Sequence, residues 1–297
     1  MRNSHSLSSM VMIPFIGLSA VFSSSAFAWK QAEIVAKVVV PEQGPSNDAP
    51  ELKLVKARNH DARLPAGSLI KMLTCYMAFS AIRDGKLSLD QKIPVSREEL
   101  PFSNFAAYPR GTKEVSIGEL IVATAVQSNN YAARDLGLRL AELGYDANHY
   151  ARKLKLNHTT EIYNLTGLPE IQGKKKAYTM TTLEDMVRLS MRLHQDFPKL
   201  SKILQEDEVY INGHQMKVGR SSPGKLGFEE FEGGKSATLD GCRSAVVSLR
   251  GGFIIAVMCA RDLDSRNKVL RQQYNLIGDE LLTQEDQDPR LALSLTR

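Results

Sequence analysis

Apolar and polar positions follow different patterns in three zones of the chain, and each pattern predicts its own kind of element. Residues 33–40 read EIVAKVVV, a β-branched run typical of a strand, and residues 51–58 read ELKLVKAR, whose alternation indicates a second strand. The loop between them is dense in turn-forming Pro, Gly, Ser, Asn and Asp. We therefore expect the first zone to form a hairpin-like pair of strands.

The second zone has the helical period in its apolar positions. A segment with a broad apolar face begins at Ser68 and ends near Asp84 and Gly85. Four further segments with a helical pattern follow: SIGELIVATAVQ, NYAARDLGLRLAELG, ANHYARKLKLN and TTLEDMVRLSMRLHQDF. The middle third of the chain is therefore predicted to be mostly helical.

Strand patterns return in the third zone, after Gln205. The segments are EVYINGHQMKVG, SAVVSLR and GGFIIAVMCARD, the last two separated by a Gly-Gly turn, and the helical pattern SRNKVLRQQYNLIGDELL follows them. Strands at both ends with helices between predict an α/β protein of the α+β type. We expect a mainly antiparallel sheet that pairs the N- and C-terminal strands, flanked by helices and a helical lobe, with a cleft between lobe and sheet.

Composition narrows the class of protein. The 297 residues, 43% of them hydrophobic, can bury a full core. The formal net charge of +5 is modest, and the one dense basic run, KKK at 174–176, is interpreted as a solvated loop. Nucleic acid is not an expected partner, because a nucleic-acid groove needs clustered Lys and Arg. The histidines have no metal-ligand spacing, so neither a metal nor another cofactor is expected.

The cysteines are Cys75, Cys242 and Cys259. Cys75 and Cys259 fall in apolar segments, where small buried thiols are ordinary. Their spacing indicates no disulfide framework, and their redox state stays open.

The stretch LPAGSLIKMLTCYMAF, residues 64–79, places a serine and a lysine three residues apart at the start of an apolar helix. Such a serine is commonly an N-cap and such a lysine a surface charge, and Ser-x-x-Lys also begins at Ser222 and Ser265. Only Lys71 lies among apolar neighbours, so its ammonium is expected to lose hydration and shift toward the neutral amine. Nearly one helical turn brings that amine near the Ser68 hydroxyl. The pair therefore predicts a nucleophile and its base.

Two further motifs follow in order along the chain. The first is SNN at 128–130, between two predicted helices, and the second is KSA at 235–237, before a strand pair. Alone, each is bland: a common loop and a commonly exposed lysine. Together, Ser-x-x-Lys, Ser-x-Asn and Lys-Ser-x match the motif set of active-site serine enzymes that recognise penicillin.

From about residue 51 to residue 282 the chain resembles the low-molecular-mass penicillin-binding proteins of the D-alanyl-D-alanine carboxypeptidase type. The segments that carry the resemblance are RLPAGSLIKMLTCYMAFSAIRDGKLSLDQKIPVS, YPRGTKEVSIGELIVATAVQSNNYAA, YNLTGLPE and TMTTLEDMVRL. The resemblance implies the penicillin-binding protein and β-lactamase-like transpeptidase fold. It also implies a serine carboxypeptidase that removes the terminal D-alanine of peptidoglycan stem peptides through an acyl-serine, with β-lactam antibiotics as covalent inhibitors.

The resemblance also implies roles for individual residues. Ser68 is the expected nucleophile, Lys71 its base, and Ser128 the relay of a proton to the leaving amine. The residues expected to bind substrate are Asn130, Lys235, Ser236, Thr238 and Arg266. The backbone amides of Ser68 and Thr238 are the expected oxyanion hole. Arg261 is the alternative arginine for the substrate's free carboxylate.

Three positions depart from the family pattern. The third motif ends in Ala237 where the family has glycine, so we expect its methyl group to narrow the cleft or tilt the strand, and to slow acylation. Asn129 also replaces a glycine, and Gly67 replaces the commoner alanine before the nucleophile. The alternatives are a D,D-endopeptidase with the same site and a catalytically impaired peptidoglycan-binding or regulatory protein. No segment resembles the glutamate loop that a β-lactamase needs.

The ends of the chain predict its location. Residues 1–28 carry a basic start, a short apolar run and Ala-Phe-Ala at 26–28, which is typical of a cleaved secretory signal. The alternative interpretation is a transmembrane anchor, but the apolar run is shorter than the ~20 residues that a membrane span needs. We expect one D,D-peptidase domain at 29–282 and a short tail at 283–297, in the periplasm and without a stable membrane anchor.

Overall fold

The computed structural model describes residues 29–39, 51–96, 98–103 and 108–285. The predicted signal peptide, residues 1–28, and the tail beyond residue 285 lie outside the described residues. Among the helices that are described, none combines the length and the apolar composition needed to cross a membrane.

The elements follow the predicted order of strands, helices and strands. The strands are β1 Ala32–Val39, β2 Glu51–Arg58, β3 Leu64–Pro65, β4 Lys92–Pro94, β5 Glu114–Ser116, β6 Glu170–Gln172, β7 Lys175–Ala177, β8 Met180–Thr181, β9 Val209–Ile211, β10 His214–Met216, β11 Phe231–Leu239, β12 Cys242–Leu249 and β13 Phe253–Ala260. The helices are α1 Lys71–Arg83, α2 Ile117–Val122, α3 Asn130–Glu142, α4 Ala147–Lys153, α5 Leu183–Asp196 and α6 Leu263–Glu285. The last helix therefore runs through the boundary that we expected at residue 282.

The main sheet is antiparallel, with the strand order β11-β12-β13-β1-β2. The N-terminal strand β1 pairs with β13, near the C-terminus, as the sequence predicted. Successive side chains of β1 enter different cores: Ile34 packs with α1 and α5, whereas Val35 packs with residues of α6. The predicted α+β fold, a mainly antiparallel sheet covered by helices, is confirmed.

Helix α1 lies in the centre of the molecule, and all of its residues from Lys71 to Ala81 are buried. This burial explains the broad apolar face of the segment. The predicted helix does not begin as an α-helix, because Gly67–Ile70 forms a tighter 3-10 turn that leads into α1. The Ser68 hydroxyl is thereby carried at the N-terminal end of a buried helix.

A disulfide joins Cys242 of β12 to Cys259 of β13. The spacing of the cysteines did not indicate this pairing, and the structure decides the redox state that the sequence left open. The two residues are 17 apart in sequence, and they meet because the hairpin between β12 and β13 folds the strands back on each other. Cys75 is a buried free thiol, and burial raises its pKa to about 12, so it stays protonated at neutral pH.

Candidate active site

The Ser68 hydroxyl and the Lys71 amine lie together at the start of α1. Lys71 Nζ is 3.0 Å from Ser68 Oγ, and the Lys71 side chain has no exposed surface. Ser68 itself is partly exposed. A hydroxyl that faces solvent, with an amine behind it at hydrogen-bond distance, is the arrangement predicted for a nucleophile and its base.

Two oxygen acceptors hold the Lys71 amine from other elements. Nζ donates to Asn130 Oδ1 at 2.7 Å and to the backbone carbonyl of Thr166 at 2.6 Å. A neutral amine has two hydrogens, which these two acceptors take, so its lone pair is left to face the Ser68 hydroxyl. The geometry therefore suits a lysine that accepts the serine proton.

Electrostatics favours the same protonation state. Burial lowers the pKa of Lys71 well below its usual value, and the nearby Lys235 lowers it further, against a smaller opposing effect of Cys75. Burial also lowers the pKa of Lys235 to about 7. Within the described part of the chain, neither lysine forms an ion pair with a carboxylate. The lost hydration is therefore not replaced by a counterion.

The SNN motif lies where α2 passes through a π-helical turn, Ala123–Gln127, and the chain turns into α3. Ser128 ends that turn in the left-handed backbone region, at φ 62°. Asn129 Oδ1 accepts hydrogen bonds from two backbone amides of the first turn of α3, which makes it the N-cap. This cap is a physical reason for asparagine where the family has glycine.

A cleft of about 220 Å³ lies between the helical lobe and β11. The predicted site residues that line it are Ser68, Ser128, Asn130, Ser236 and Thr238. Lys71 and Lys235 line a small adjoining cavity below it. The structure therefore brings together seven of the predicted site residues, from the turn before α1 and its first residue, the turn that leads into α3, and the edge strand β11.

The eighth, Arg266, does not line the cleft. Its side chain has no exposed surface, and Nη1 donates to the backbone carbonyl of Ser221, which does line the cleft. The alternative, Arg261, is exposed and paired with Asp262. Arg266 therefore supports the cleft from behind, and a direct contact of either arginine with substrate is not part of this geometry.

The methyl group of Ala237 does not narrow the cleft, so the expectation of a narrowed cleft is wrong. Alternation along β11 turns Ser236 and Thr238 toward the cleft and buries Ala237 on the other face, where it is 3% exposed. A Cβ placed on Gly67 would lie only 3.3 Å from the Ala237 Cβ. The two departures from the family pattern thus lie against each other. Gly67 lacks the methyl group that the commoner alanine would have, and the methyl group of Ala237 on β11 occupies the neighbouring space.

The loop of residues 164–168 is the part of the site that sequence reasoning missed. Asn164 Oδ1 accepts hydrogen bonds from the backbone amides of Thr166 and Gly167, which fixes the loop so that the Thr166 carbonyl faces Lys71. A Cβ on Gly167 would lie 1.9 Å from the carbonyl oxygen of Gly67, so only glycine fits there. A backbone carbonyl leaves no mark in a sequence; only the YNLTGLPE segment pointed here.

We expect Ala237→Gly to slow acylation by penicillin about fivefold, because the missing methyl leaves a void against Gly67 and frees the strand that carries Thr238. The measurement is the second-order acylation rate constant. Ala245→Gly removes a methyl from a fully buried position of β12 and is the matched control, which should lose stability but keep its acylation rate. Faster acylation of the Ala237→Gly variant would contradict this and would indicate that the methyl group obstructs the cleft.

Known proteins resemble this chain in sequence and in fold. D-alanyl-D-alanine carboxypeptidase DacC of Escherichia coli is 27% identical over 205 residues, which cover 65% of this chain and 48% of that protein. The chain thus spans about half the length of the curated relative it matches. A penicillin-binding protein of Listeria monocytogenes in its cefotaxime-bound form has a similar fold, with a TM-score of 0.66, 23% identity and coverage of 82% of this chain and 95% of that one. The D-alanyl-D-alanine carboxypeptidase DacD of Francisella tularensis also has a similar fold, with a TM-score of 0.62 and 21% identity. The match covers 82% of this chain and 70% of that one.

The fold is that of penicillin-binding proteins and β-lactamases, and Ser68, which lines the cleft, lies 3.0 Å from the buried Lys71 amine, as the motifs predicted. Residues 53–282 match the beta-lactamase enzyme family. The chain belongs to that family.

Proposed function

We propose that this protein is a serine D,D-carboxypeptidase that removes the terminal D-alanine of peptidoglycan stem peptides and is acylated by penicillins. The observation that carries the proposal is the 3.0 Å contact between Ser68 Oγ and a fully buried Lys71 amine whose hydrogens have two other acceptors. The relationship to carboxypeptidases supports the substrate class.

The reaction begins when Ser68 Oγ attacks the carbonyl carbon of the terminal D-Ala-D-Ala bond and its proton passes to Lys71. The backbone amides of Ser68 and Thr238 stabilise the oxyanion, and such a donor typically contributes ~3 to 4 kcal/mol. Ser128 relays the proton to the leaving amine, the C–N bond breaks, and free D-alanine departs. Water then hydrolyses the acyl-serine and restores the hydroxyl.

The substrate's terminal carboxylate is assigned to the β11 side of the cleft. The Ser236 and Thr238 side chains line the cleft there, Lys235 lines the adjoining cavity, and the buried Arg266 donates to the carbonyl of Ser221, which also lines the cleft. Within the described residues, neither cation is paired with a protein carboxylate. An anionic ligand would therefore supply the missing counterion, and Arg266 would act by positioning Ser221.

We place the reaction in the periplasm. The signal-like segment supports this location, and so does the disulfide between Cys242 and Cys259, because disulfides persist in oxidising compartments.

The decisive experiment follows release of D-alanine from a stem pentapeptide and, separately, cleavage of a crosslinked peptide dimer. We expect the parent protein to release D-alanine from the pentapeptide and the Ser68→Ala variant to release none. Cleavage of the dimer alone would establish the endopeptidase instead. Labelling by a fluorescent penicillin without turnover of either peptide would support the regulatory protein and overturn the proposal.

A further inference from the structure

An exposed aromatic side chain lines the cleft together with residues of β11. Phe102 lines the same cleft as Ser68 and Ser128, and its residue is 46% exposed. Its backbone is in the left-handed region, at φ 64°, which is rare for a bulky residue and costs free energy. The neighbouring Ser103 hydroxyl accepts a hydrogen bond from Asn130 Nδ2, which ties this segment to the site.

A lysine from a separate hairpin lies on the face of that ring. The hairpin of β6 and β7 follows directly after Leu168, another residue that lines the cleft. On β7, Lys176 Nζ lies 4.5 Å from the centroid of the Phe102 ring, within the range of a cation–π contact. The hairpin and the Phe102 segment therefore meet at the rim of the cleft.

The rim at this point is positively charged. Residues 174–176 are three exposed lysines, and none of them is in an ion pair with a described carboxylate. The acid of the hairpin, Glu170, accepts a hydrogen bond from Asn164 instead, at 2.8 Å. Glu98 and Glu99, near Phe102 in sequence, form no ion pair with these lysines either. The basic run is solvated, as expected, and through Lys176 it presents a cation without a described carboxylate partner at the rim of the cleft.

In the proposed reaction, the two sides of the cleft receive different parts of the substrate. If the leaving D-alanine lies toward β11, the acyl part of the peptide extends from Ser68 toward Leu168 and Phe102. We propose that Phe102 and Lys176 form a subsite for the acyl part of the stem peptide, in which Lys176 binds a side-chain carboxylate and the ring packs against the chain. The inference rests on the proposed function and adds a preference for acidic peptides to it.

The test compares two D-Ala-D-Ala peptides that differ only in an acyl-side residue, which carries either a carboxylate or a carboxamide. We expect the parent to favour the carboxylate peptide about fivefold in kcat/KM, mainly through KM, because an exposed ion pair contributes at most a factor of this size. The preference should fall in 0.5 M salt, since screening weakens exposed pairs. Lys176→Ala should remove it and Lys176→Arg should retain it.

A matched control exists on α4, where Lys153 Nζ lies 5.5 Å from the centroid of the Tyr150 ring, outside the cleft. Lys153→Ala should keep the full preference. Acylation by a penicillin with an uncharged side chain should be equal in the parent and Lys176→Ala; a slower rate would show a general effect on the cleft and overturn the subsite. An unchanged preference in Lys176→Ala would overturn it as well.

Failure of the subsite and failure of the proposed function give different results. If the parent hydrolyses both peptides at the same efficiency, the carboxypeptidase stands and the subsite is wrong. If the parent hydrolyses neither peptide, the subsite is tested by binding alone: calorimetry measures the affinity of the Ser68→Ala variant for the same two peptides. If neither peptide binds there and the parent hydrolyses neither, both proposals are wrong.

Discussion

Replacing Ser68 by alanine is expected to abolish covalent labelling by a fluorescent penicillin. The acyl-enzyme is an ester of the Ser68 oxygen, and the buried thiol of Cys75, whose pKa is raised to about 12, offers no substitute nucleophile. Because Ser68 is partly exposed and loses one oxygen, the variant should keep its fold. Labelling is read on a denaturing gel, and the fold is checked by thermal unfolding.

The chain supplies its own control for this experiment. Ser265 also opens a Ser-x-x-Lys sequence, but it lies in the first turn of α6, where its backbone amide donates to Asp262 Oδ1. Ser265→Ala should therefore label like the parent. Undiminished labelling of the Ser68→Ala protein would refute the assignment of the nucleophile.

The second large effect concerns the base. Lys71→Arg is expected to slow acylation by about 10² to 10⁴, as severely as Lys71→Ala, because arginine stays protonated and accepts no proton. Both variants also disturb the acceptors Asn130 Oδ1 and Thr166 O, so their unfolding temperatures should fall. The measurement is the acylation rate constant at a temperature where each variant is fully folded. The control is Lys225→Arg, because Lys225 is an exposed lysine of another Ser-x-x-Lys sequence.

The pH profile separates the base role from packing. Burial lowers the pKa of Lys71, so the neutral amine already predominates below the usual lysine pKa of about 10.4. The limiting acylation rate of the parent at saturating penicillin, which excludes the binding contribution of Lys235, should rise with pH through that lowered pKa and level off before pH 10. An acylation limb that begins only near pH 10, or an Arg variant with parental rates, would remove Lys71 as the base.

Local patterns determined much of this protein. The strands at both ends, the helical middle and the pairing of β1 near the C-terminal strand followed from the period of apolar residues, because burial on one face leaves that period in the sequence. Ser68 and Lys71 were found for the same reason, since a contact three residues apart on a helix is local. The signal segment at 1–28 stays a prediction.

Tertiary structure alone decided the contacts between distant segments. Cys242 meets Cys259 through a hairpin, the Thr166 carbonyl reaches Lys71 across 95 residues, and the Ala237 methyl fills the space beside Gly67. The burial of Arg266 behind the cleft is of the same kind. Each of these contacts depends on how distant segments are placed in three dimensions. The residue types and their spacing along the chain do not specify that placement, least of all where the contact is made by a backbone carbonyl or a single methyl group.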